Sequence, residues 1–312
     1  MITICIPIYN LNVTELIREL SRQAKSISVP YEIVLIDDYS SEEFKKGNKE
    51  ICEKEIYIQL EKNIGRAGIR DLFLKYSKYN NLLFLDCDSL IISNDFILKY
   101  IDAIKHDSYN VICGGRVYNK NRPNRKKLLR WKYGVKKESQ PFDIRKMSPN
   151  KSFMTSNFMV SKKIFEQINF DERIVEYGHE DTLFGYRLEK DGIVIKHIDN
   201  PVLNGYIEDN EEYLNKTEKG IINLINILSY VNFDSDFIRN VTILRFYKKI
   251  NSLRVTNIIR IIFICFKPIM RFLLIKGYIN LWIFDFYKLG ILIQNKKRLA
   301  TNKISRGTQR QQ

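Results

Sequence analysis

The sequence predicts an α/β fold in which helices flank a mainly parallel sheet. Short apolar segments alternate with segments whose apolar residues recur at helical spacing, and this alternation is typical of strand–helix–strand units. Three of the apolar segments are followed directly by aromatic or acidic residues, at Tyr9, Asp38 and Asp86. In parallel sheets, ligands bind beyond the carboxyl ends of the strands. We therefore expect these residues to meet at one edge of the sheet.

The predicted elements of the first part of the chain follow one another in a regular order: strand 3–8, helix 14–24, strand 32–38, helix 65–78, strand 82–86, helix 96–104 and strand 110–114. Pro7 fits the end of a strand, because proline cannot donate to a sheet. Thr14 fits an N-cap position, and Asn94-Asp95 fit the cap of the helix that follows them.

The loop before the helix at 65–78 has two interpretations. Gly65 supplies the positive φ that a tight turn needs. Alternatively, backbone N–H groups at the helix N-terminus meet a phosphate group together with Arg66 or Arg70, which share one helical face. Both interpretations stay open at this point.

The pair Asp86 and Asp88 follows a buried strand. Side chains two positions apart leave a strand on the same side, so both carboxylates can point into one site. Their repulsion is relieved if a hard cation such as Mg²⁺ or Mn²⁺ lies between them and takes its other ligands from substrate phosphates. A single Asp-x-Asp also occurs in ordinary turns, so the neighbouring segments decide.

Two other strand ends suit a nucleotide. Asp38 can accept a hydrogen bond from a base imide N–H, and Tyr9 can stack on or flank a base. The structural alternatives are a solvated turn at Asp37-Asp38 and a core aromatic at Tyr9.

Residues 116–151 are basic and poor in apolar residues, which predicts a long loop. The loop either contacts a diphosphate or an anionic acceptor, or it is a solvated surface.

The later predicted elements are strand 153–160, a short helix from Ser161, helix 180–192, strand 193–197 and helix 211–230. Acidic residues at the start of the helix at 180–192 are also favoured there by the helix dipole.

The composition is that of a globular protein: 312 residues, 45% of them apolar. The five cysteines show no paired spacing, which argues against a disulfide framework or a zinc site and favours a reducing compartment. The first residues lack the pattern of a signal peptide. We therefore expect a cytoplasmic location, peripheral on the cytosolic face of the inner membrane.

The net charge of +15 is concentrated at the C-terminal end, because residues 237–312 contain 16 Lys and Arg and one acid, Asp285. Apolar and aromatic clusters separate these charges, but their uncharged runs are too short to span a membrane. Arg260, Lys267 and Arg271 would share one face of a helix, which predicts an interfacial helix on anionic lipid. The alternative is a set of helices packed on the rest of the chain. Nucleic-acid binding is disfavoured, since the segment is apolar between its charges and contains no known module.

Five motifs together resemble family 2 glycosyltransferases with the GT-A fold, in order and spacing. They are residues 6–10, residues 34–40, Asn63-x-Gly65 with Arg70-Asp71, residues 85–89 and residues 178–182. The resemblance covers roughly residues 1–230. It implies an inverting hexosyltransferase that moves a sugar from a nucleoside diphosphate sugar, usually UDP-linked, with Mn²⁺ or Mg²⁺. The acceptor would be a hydroxyl of a saccharide or lipid-linked saccharide in cell-surface glycan synthesis.

The resemblance also implies roles for individual residues. Asp181 matches the general base and Glu180 lies beside it near the acceptor, while Asp86 and Asp88 match the metal–diphosphate motif. The expected nucleotide-sugar-binding residues are Pro7, Tyr9, Asn10, Asp38, Asn63, Gly65, Arg66, Arg70, Asp86 and Cys87.

One departure from the family pattern concerns the metal. Relatives commonly place a histidine after the strand that follows the Glu-Asp pair, where this chain has Asn204. An amide is a weaker ligand, and His197 is an alternative ligand or simply a buried structural histidine. The substitution keeps a second function open, that of a catalytically weak nucleotide-sugar-binding subunit in a glycan-assembly complex. The domain prediction is a catalytic domain at 1–230, a basic and aromatic helical membrane-association segment at 231–294, and a disordered tail at 295–312.

Overall fold

The computed structural model describes residues 1–52, 54–106, 110–174 and 177–308, with the side chains of residues 106 and 297–308 left out. The chain divides into two compact units. The first unit comprises Met1–Asn121, Gly134–Val175 and Glu180–Ile207, and the second comprises Arg122–Tyr133, Glu176–His179 and Glu208–Gln312.

The described residues form ten strands: β1 (Ile2–Ile8), β2 (Tyr31–Asp37), β3 (Ile56–Gln59), β4 (Asn81–Leu85), β5 (Ser89–Ile91), β6 (Val111–Cys113), β7 (Arg116–Val117), β8 (Asn157–Ser161), β9 (Lys196–His197) and β10 (Val202–Asn204). Seven of them make one sheet in the order β3-β2-β1-β4-β8-β6-β9, and three make a second sheet in the order β5-β10-β7. In the large sheet only the two pairings of β8 are antiparallel. The predicted mainly parallel sheet is confirmed.

The described residues also form thirteen α-helices: α1 (Thr14–Lys25), α2 (Glu42–Ile51), α3 (Gly65–Tyr76), α4 (Phe96–His106), α5 (Leu128–Tyr133), α6 (Phe142–Arg145), α7 (Lys162–Gln167), α8 (Glu180–Lys190), α9 (Asn210–Tyr230), α10 (Ser235–Asn240), α11 (Thr242–Ser252), α12 (Thr256–Ile275) and α13 (Leu281–Thr308). A 3₁₀-helix covers Arg125–Lys127 and a π-helix covers Gly134–Glu138.

Both faces of the large sheet are covered by helices. Ile4 of β1 belongs to an apolar cluster that includes Leu16 of α1 and Tyr100 of α4. The next residue, Cys5, belongs to a second cluster that includes Phe73 of α3. Because successive side chains of a strand point to opposite faces, one continuous apolar strand supplies both clusters.

Residues 116–151 differ from the predicted loop, because they contain β7, α5, α6 and the two short non-α helices. Leu128 and Leu129 are buried, so the few apolar residues of this segment are enough to hold a helical turn. Arg145 is also buried, and its guanidinium donates to the carbonyls of Cys113, Gly114 and Ile198. A charged residue here has a structural function that a count of basic residues does not show.

Smaller differences between the predicted and the observed elements lie at the ends of helices and strands. Thr14 is the first helical residue instead of the N-cap, and no side chain caps the helix from Val13. The strand predicted from residue 153 begins at Asn157, and Ser161 caps α7 as expected. Helix α2 and strand β3 had not been predicted.

Helix α9, predicted to close the catalytic domain, belongs to the second unit together with α10 to α13. Helix α13 extends to Thr308, through much of the segment for which the sequence predicts disorder, and residues 309–312 lie outside the described part. Within the described residues, no helix is both long and apolar enough to cross a membrane. The domain roles stay predictions.

Candidate active site

Asp38 lies directly after β2 and is buried. Its carboxylate accepts hydrogen bonds from the backbone N–H of Ile64 at 2.7 Å and of Gly65 at 3.0 Å. Asn63 Nδ2 donates to the Asp38 carbonyl at 3.0 Å. Burial raises the pKa of Asp38, and the two backbone hydrogen bonds oppose that rise. Asp38 therefore ties the end of β2 to the start of α3.

This arrangement decides between the two interpretations of Gly65. Its φ of +80° is in the left-handed region, where glycine is favoured, and its N–H is engaged by Asp38. The structure therefore gives Gly65 a conformational function. The same contacts place Asn63, Gly65 and Asp38 together, as the sequence predicts.

The turn after β1 exposes an aromatic side chain beside Asp38. Asn10 has a φ of +48°; its N–H donates to Ser40 Oγ at 2.8 Å, and its Oδ1 accepts from the Ser41 N–H at 2.8 Å. These bonds join the turn after Pro7 and Tyr9 to the turn after β2. Tyr9 is 54% exposed, so it is not a core aromatic. A second exposed aromatic, Tyr39, lies in the partner turn and had not been predicted.

Asp86 follows β4 and is surrounded by guanidinium groups. Arg70 Nη2 lies 2.6 Å from Asp86 Oδ1, Arg66 Nη2 lies 3.3 Å from Oδ2, and Arg116 Nη2 lies 3.7 Å from Oδ2. Burial alone would raise the pKa of Asp86, but the three positive charges outweigh it and lower the pKa to about 2. Arg116 also contacts both carboxylate oxygens of Asp88, at 3.2 Å and 3.3 Å. Between the two aspartates, Cys87 is half-buried, and burial raises the pKa of its thiol to about 12.

The Glu180-Asp181 pair reaches the same place through Arg66. Arg66 Nε lies 2.8 Å from Glu180 Oε1, so one guanidinium bridges Glu180 and Asp86. Asp181 Oδ1 accepts from the backbone N–H of Thr182 at 2.7 Å. Burial, followed by the negative charge of Glu180, raises the pKa of Asp181 to about 6. Asp86 and Glu180, acids from two distant segments, therefore meet at Arg66, with Asp181 next to Glu180 in the chain.

Asn204 and His197, the two candidates for a further metal ligand, lie in different surroundings. Asn204 is paired with Ser89 across β10 and β5, and the N–H of Gly205 donates to the Asp88 carbonyl at 2.7 Å, so Asn204 lies next to the aspartate motif. Its amide nitrogen donates to the Tyr206 carbonyl.

His197 does not fit the role of a metal ligand. The ring is buried, with Nδ1 2.8 Å from Arg145 Nη1 and Nε2 2.9 Å from the Pro149 carbonyl. Because the carbonyl can only accept, Nε2 donates and Nδ1 accepts, which occupies both ring nitrogens. Burial lowers the pKa of His197 to about 4, which favours this neutral form. The prediction of His197 as a ligand is therefore wrong for this arrangement.

The donor set of Asp86, Asp88 and the neighbouring Asn204 consists of oxygen ligands, which suit Mg²⁺ or Mn²⁺. Across the described residues, no group of three or more histidine, cysteine or acidic side chains forms a complete protein cage for a metal. Mg²⁺ is commonly held by one or two carboxylates together with substrate phosphates. The residues present therefore fit a cation that binds with a diphosphate.

Arg116 is the residue of this site that sequence reasoning missed. The sequence indicated only that Arg116 is one of the basic residues of the segment 116–151, and it lies about 30 positions from the aspartates along the chain. The small sheet brings it close, because β10 pairs with β7 on one side and with β5 on the other. Its one local signal is its place directly after Gly114-Gly115, where Gly115 has a φ of +92°.

Comparisons with known proteins identify the family of this chain. The model of the family described as glycosyl transferase family 2 matches residues 3–168. A chondroitin synthase of Escherichia coli is 25% identical in an alignment of 209 positions that covers 54% of this chain and 29% of the relative. The chain thus spans less than a third of that relative.

Two solved structures share the fold. The mannosyltransferase PcManGT from Pyrobaculum calidifontis, in complex with GDP-Man and Mn²⁺, superposes with a TM-score of 0.52 at 12% identity, over 75% of this chain and 64% of that one. Glucosyl-3-phosphoglycerate synthase from Mycobacterium tuberculosis, in complex with Mg²⁺ and UDP, gives 0.51 at 12% identity, over 72% and 78%. At such identities the similarity concerns the fold.

Proposed function

The chain belongs to glycosyl transferase family 2, and we propose that it is an inverting hexosyltransferase. The donor is a nucleoside diphosphate sugar, UDP-linked, and the acceptor is a hydroxyl of a saccharide or lipid-linked saccharide in cell-surface glycan synthesis. The observation that carries the proposal is the bridge of Arg66 between Asp86 and Glu180. It joins a diphosphate-binding motif to a pair of acids suited to proton transfer.

The donor base lies at the turns after β1 and β2. Tyr9 is exposed there and flanks the base, with Pro7 and Asn10 holding its turn. Asp38 uses its carboxylate to hold α3, yet each carboxylate oxygen has two lone pairs, so it retains acceptors for a base imide N–H. Asn63 keeps this loop in place through its bond to the Asp38 backbone.

The diphosphate lies over Arg66, Arg70 and the aspartate motif. Asp86 and Asp88, with Asn204 beside them, would hold a divalent cation, Mn²⁺ or Mg²⁺, which would supply positive charge where the leaving group becomes negative. The Mn²⁺ and Mg²⁺ present in the two related structures support this choice of metal. Arg66 adds an exposed guanidinium group, which suits bidentate binding of phosphate, while the buried Arg70 holds Asp86 in place.

Asp181 is the general base. Its carboxylate takes the proton from the acceptor hydroxyl while the hydroxyl oxygen attacks the anomeric carbon, and the bond from that carbon to the diphosphate oxygen breaks. The products are the glycosylated acceptor, the nucleoside diphosphate and a protonated Asp181, which then releases its proton to water. A single displacement inverts the configuration. A carboxyl pKa of about 6 suits this task, because the group is ionised at neutral pH yet basic enough to accept a proton.

A screen of nucleotide sugars with Mn²⁺, in which released nucleoside diphosphate is measured, tests the proposal. The wild type turns over one donor. Asp181→Asn binds that donor with similar affinity and loses transfer by at least about a hundredfold, the usual contribution of a general base. Asp191→Asn, the same exchange at an exposed position after α8, keeps full activity.

Normal transfer by Asp181→Asn would show that Asp181 is not the base. Donor binding without turnover by the wild type would instead favour the second candidate, a catalytically weak partner subunit of a glycan-assembly complex. The observation in favour of that candidate is Asn204 at the place where relatives commonly have a histidine ligand.

We further propose that the second unit associates with an anionic membrane surface at the cytosolic face. Helix α12 leaves large apolar side chains exposed: Ile258, Ile261, Ile262, Ile264, Phe266, Ile269 and Phe272. Together with the basic charge of residues 237–312, this suits an interfacial helix. Arg271, grouped with Arg260 and Lys267 in the sequence prediction, pairs with Glu218 of α9 at 2.9 Å, so its charge is already compensated within the unit.

A further inference from the structure

The carboxylates of the aspartate motif are already paired with arginines of the chain. Arg66, Arg70 and Arg116 supply three guanidinium groups, and Asp86, Asp88 and Glu180 supply three carboxylates. A cation that enters here therefore meets carboxylates that are already paired. The affinity of the site for the cation therefore depends on whether the arginines stay paired with these carboxylates.

Arg116 differs from the two arginines of α3 in how it is held. Arg70 donates Nη1 to the carbonyl of Arg66 at 2.8 Å, and its side chain is only 2% exposed. Arg66 is tied to Glu180 as well as to Asp86. Arg116 lies on the two-residue strand β7 at the edge of the small sheet and contacts both aspartates of the motif. It is the arginine that competes most directly with a cation for both carboxylates.

We propose that Arg116 makes divalent-cation binding depend on the nucleotide, an inference that rests on the donor site proposed above. Without nucleotide, its guanidinium occupies the oxygens of Asp88 that a cation needs, and its positive charge repels the cation. A diphosphate gives Arg116 an anionic partner of the geometry that guanidinium prefers. The diphosphate also offers oxygen ligands to the cation. Cation and nucleotide therefore bind cooperatively, each raising the affinity of the other by the same factor.

Binding of Mn²⁺ to the full chain tests this inference, measured from the electron paramagnetic resonance signal of the free ion with and without UDP. The wild type binds Mn²⁺ at least about tenfold more tightly with UDP than without it. Arg116→Gln removes the competing charge, so it binds Mn²⁺ alone at least about tenfold more tightly than the wild type does, and the gain from UDP shrinks by a similar factor. Arg116→Lys keeps the positive charge, so it changes the affinity for Mn²⁺ less than Arg116→Gln does.

Lys120→Gln is the matched control, because it removes the same charge from an exposed position four residues further on. It leaves both affinities within about twofold of the wild type, as expected for a screened surface charge. Circular dichroism and the unfolding midpoint verify that each variant is folded. If Arg116→Gln does not fold, the wild-type comparison with and without UDP and the Arg116→Lys variant decide.

Two results would overturn the inference. One is an affinity of Arg116→Gln for Mn²⁺ alone that equals that of the wild type. The other is a wild type that binds Mn²⁺ equally with and without UDP. A wild type that binds no Mn²⁺ even with UDP, or binds it unchanged after Asp88→Asn, would instead contradict the proposed donor site, so the two failures are distinguishable.

Discussion

Glu180→Gln is expected to move the acid limb of the transfer reaction to lower pH. Burial and the charge of Glu180 raise the pKa of Asp181 from 3.8 to about 6, and burial is the larger cause. The charge is the smaller of these two causes, and we expect its loss to lower the pKa of Asp181 by roughly 0.5 to 1, or about 0.7 to 1.4 kcal/mol. The exchange also frees Arg66 from Glu180, and the positive charge of Arg66 acts on Asp181 in the same direction.

The sign follows from the role of a general base, which works only when ionised. As the pH falls through about 6, Asp181 becomes protonated and kcat/KM of the wild type decreases. In Glu180→Gln the decrease begins roughly 0.5 to 1 pH unit lower. The assay is kcat/KM from pH 4.5 to 8 by release of nucleoside diphosphate, since kcat/KM reports ionisations of the free enzyme.

The midpoint of the acid limb is the readout, whatever the effect on the absolute rate. Glu166→Gln, the same exchange at an exposed position of α7, leaves the midpoint unchanged. An unchanged or higher midpoint in Glu180→Gln would refute the assignment of Asp181 as a base whose pKa depends on its neighbour.

Three further predictions concern stability and surface binding. Asp38→Asn replaces one carboxylate oxygen by an amide N–H that faces a backbone N–H. We expect the free energy of unfolding in urea to decrease by about 1–3 kcal/mol. An unchanged unfolding midpoint would mean that the contacts with Ile64 and Gly65 contribute nothing to stability. Gly290→Ala on α13 places a methyl group against the ring of Phe263 and should cost about 1–3 kcal/mol in urea unfolding. Gly47→Ala on α2, with open space around it, should instead stabilise by about 0.5–1 kcal/mol. Equal effects would contradict the close approach of Gly290 to Phe263. Ile261→Asp on α12 should weaken co-sedimentation with anionic vesicles by about tenfold or more. The control is Ile144→Asp, the same exchange at an exposed isoleucine of the first unit, which should not weaken it. Equal binding by both variants would exclude this face of α12 as the lipid contact.

Much of the site was predictable because its main residues follow apolar strands directly. Asp38 and Asp86 are placed by local rules: an apolar segment becomes a strand of a parallel sheet, and the next residue lies at its carboxyl edge. Glu180 and Asp181 needed the family pattern as well. No local rule relates the start of α8 to the end of β4, and the contact between them is made through Arg66.

The role of Arg116 and the choice between Asn204 and His197 were not predictable from local rules, since they depend on contacts between distant segments. A shift of β10 against β5 would move Asn204 away from Ser89 and from the aspartate motif. Likewise Arg116 reaches Asp88 only because β7 pairs with β10 in one register. His197 resembled a ligand in the sequence because nothing there shows that Arg145 and Pro149 occupy both of its nitrogens.

Glu180 and Asp181 are neighbours in sequence, yet the helix gives them different surroundings. Successive helical residues differ by about 100° in direction, so only one of the pair can face Arg66. Glu180 does so, and a guanidinium N–H engages one of its oxygens. Asp181 turns to the N–H of Thr182, where burial and the adjacent charge raise its pKa to about 6. A base must be ionised at neutral pH yet basic enough to accept the proton it removes, and the raised pKa of Asp181 meets this requirement.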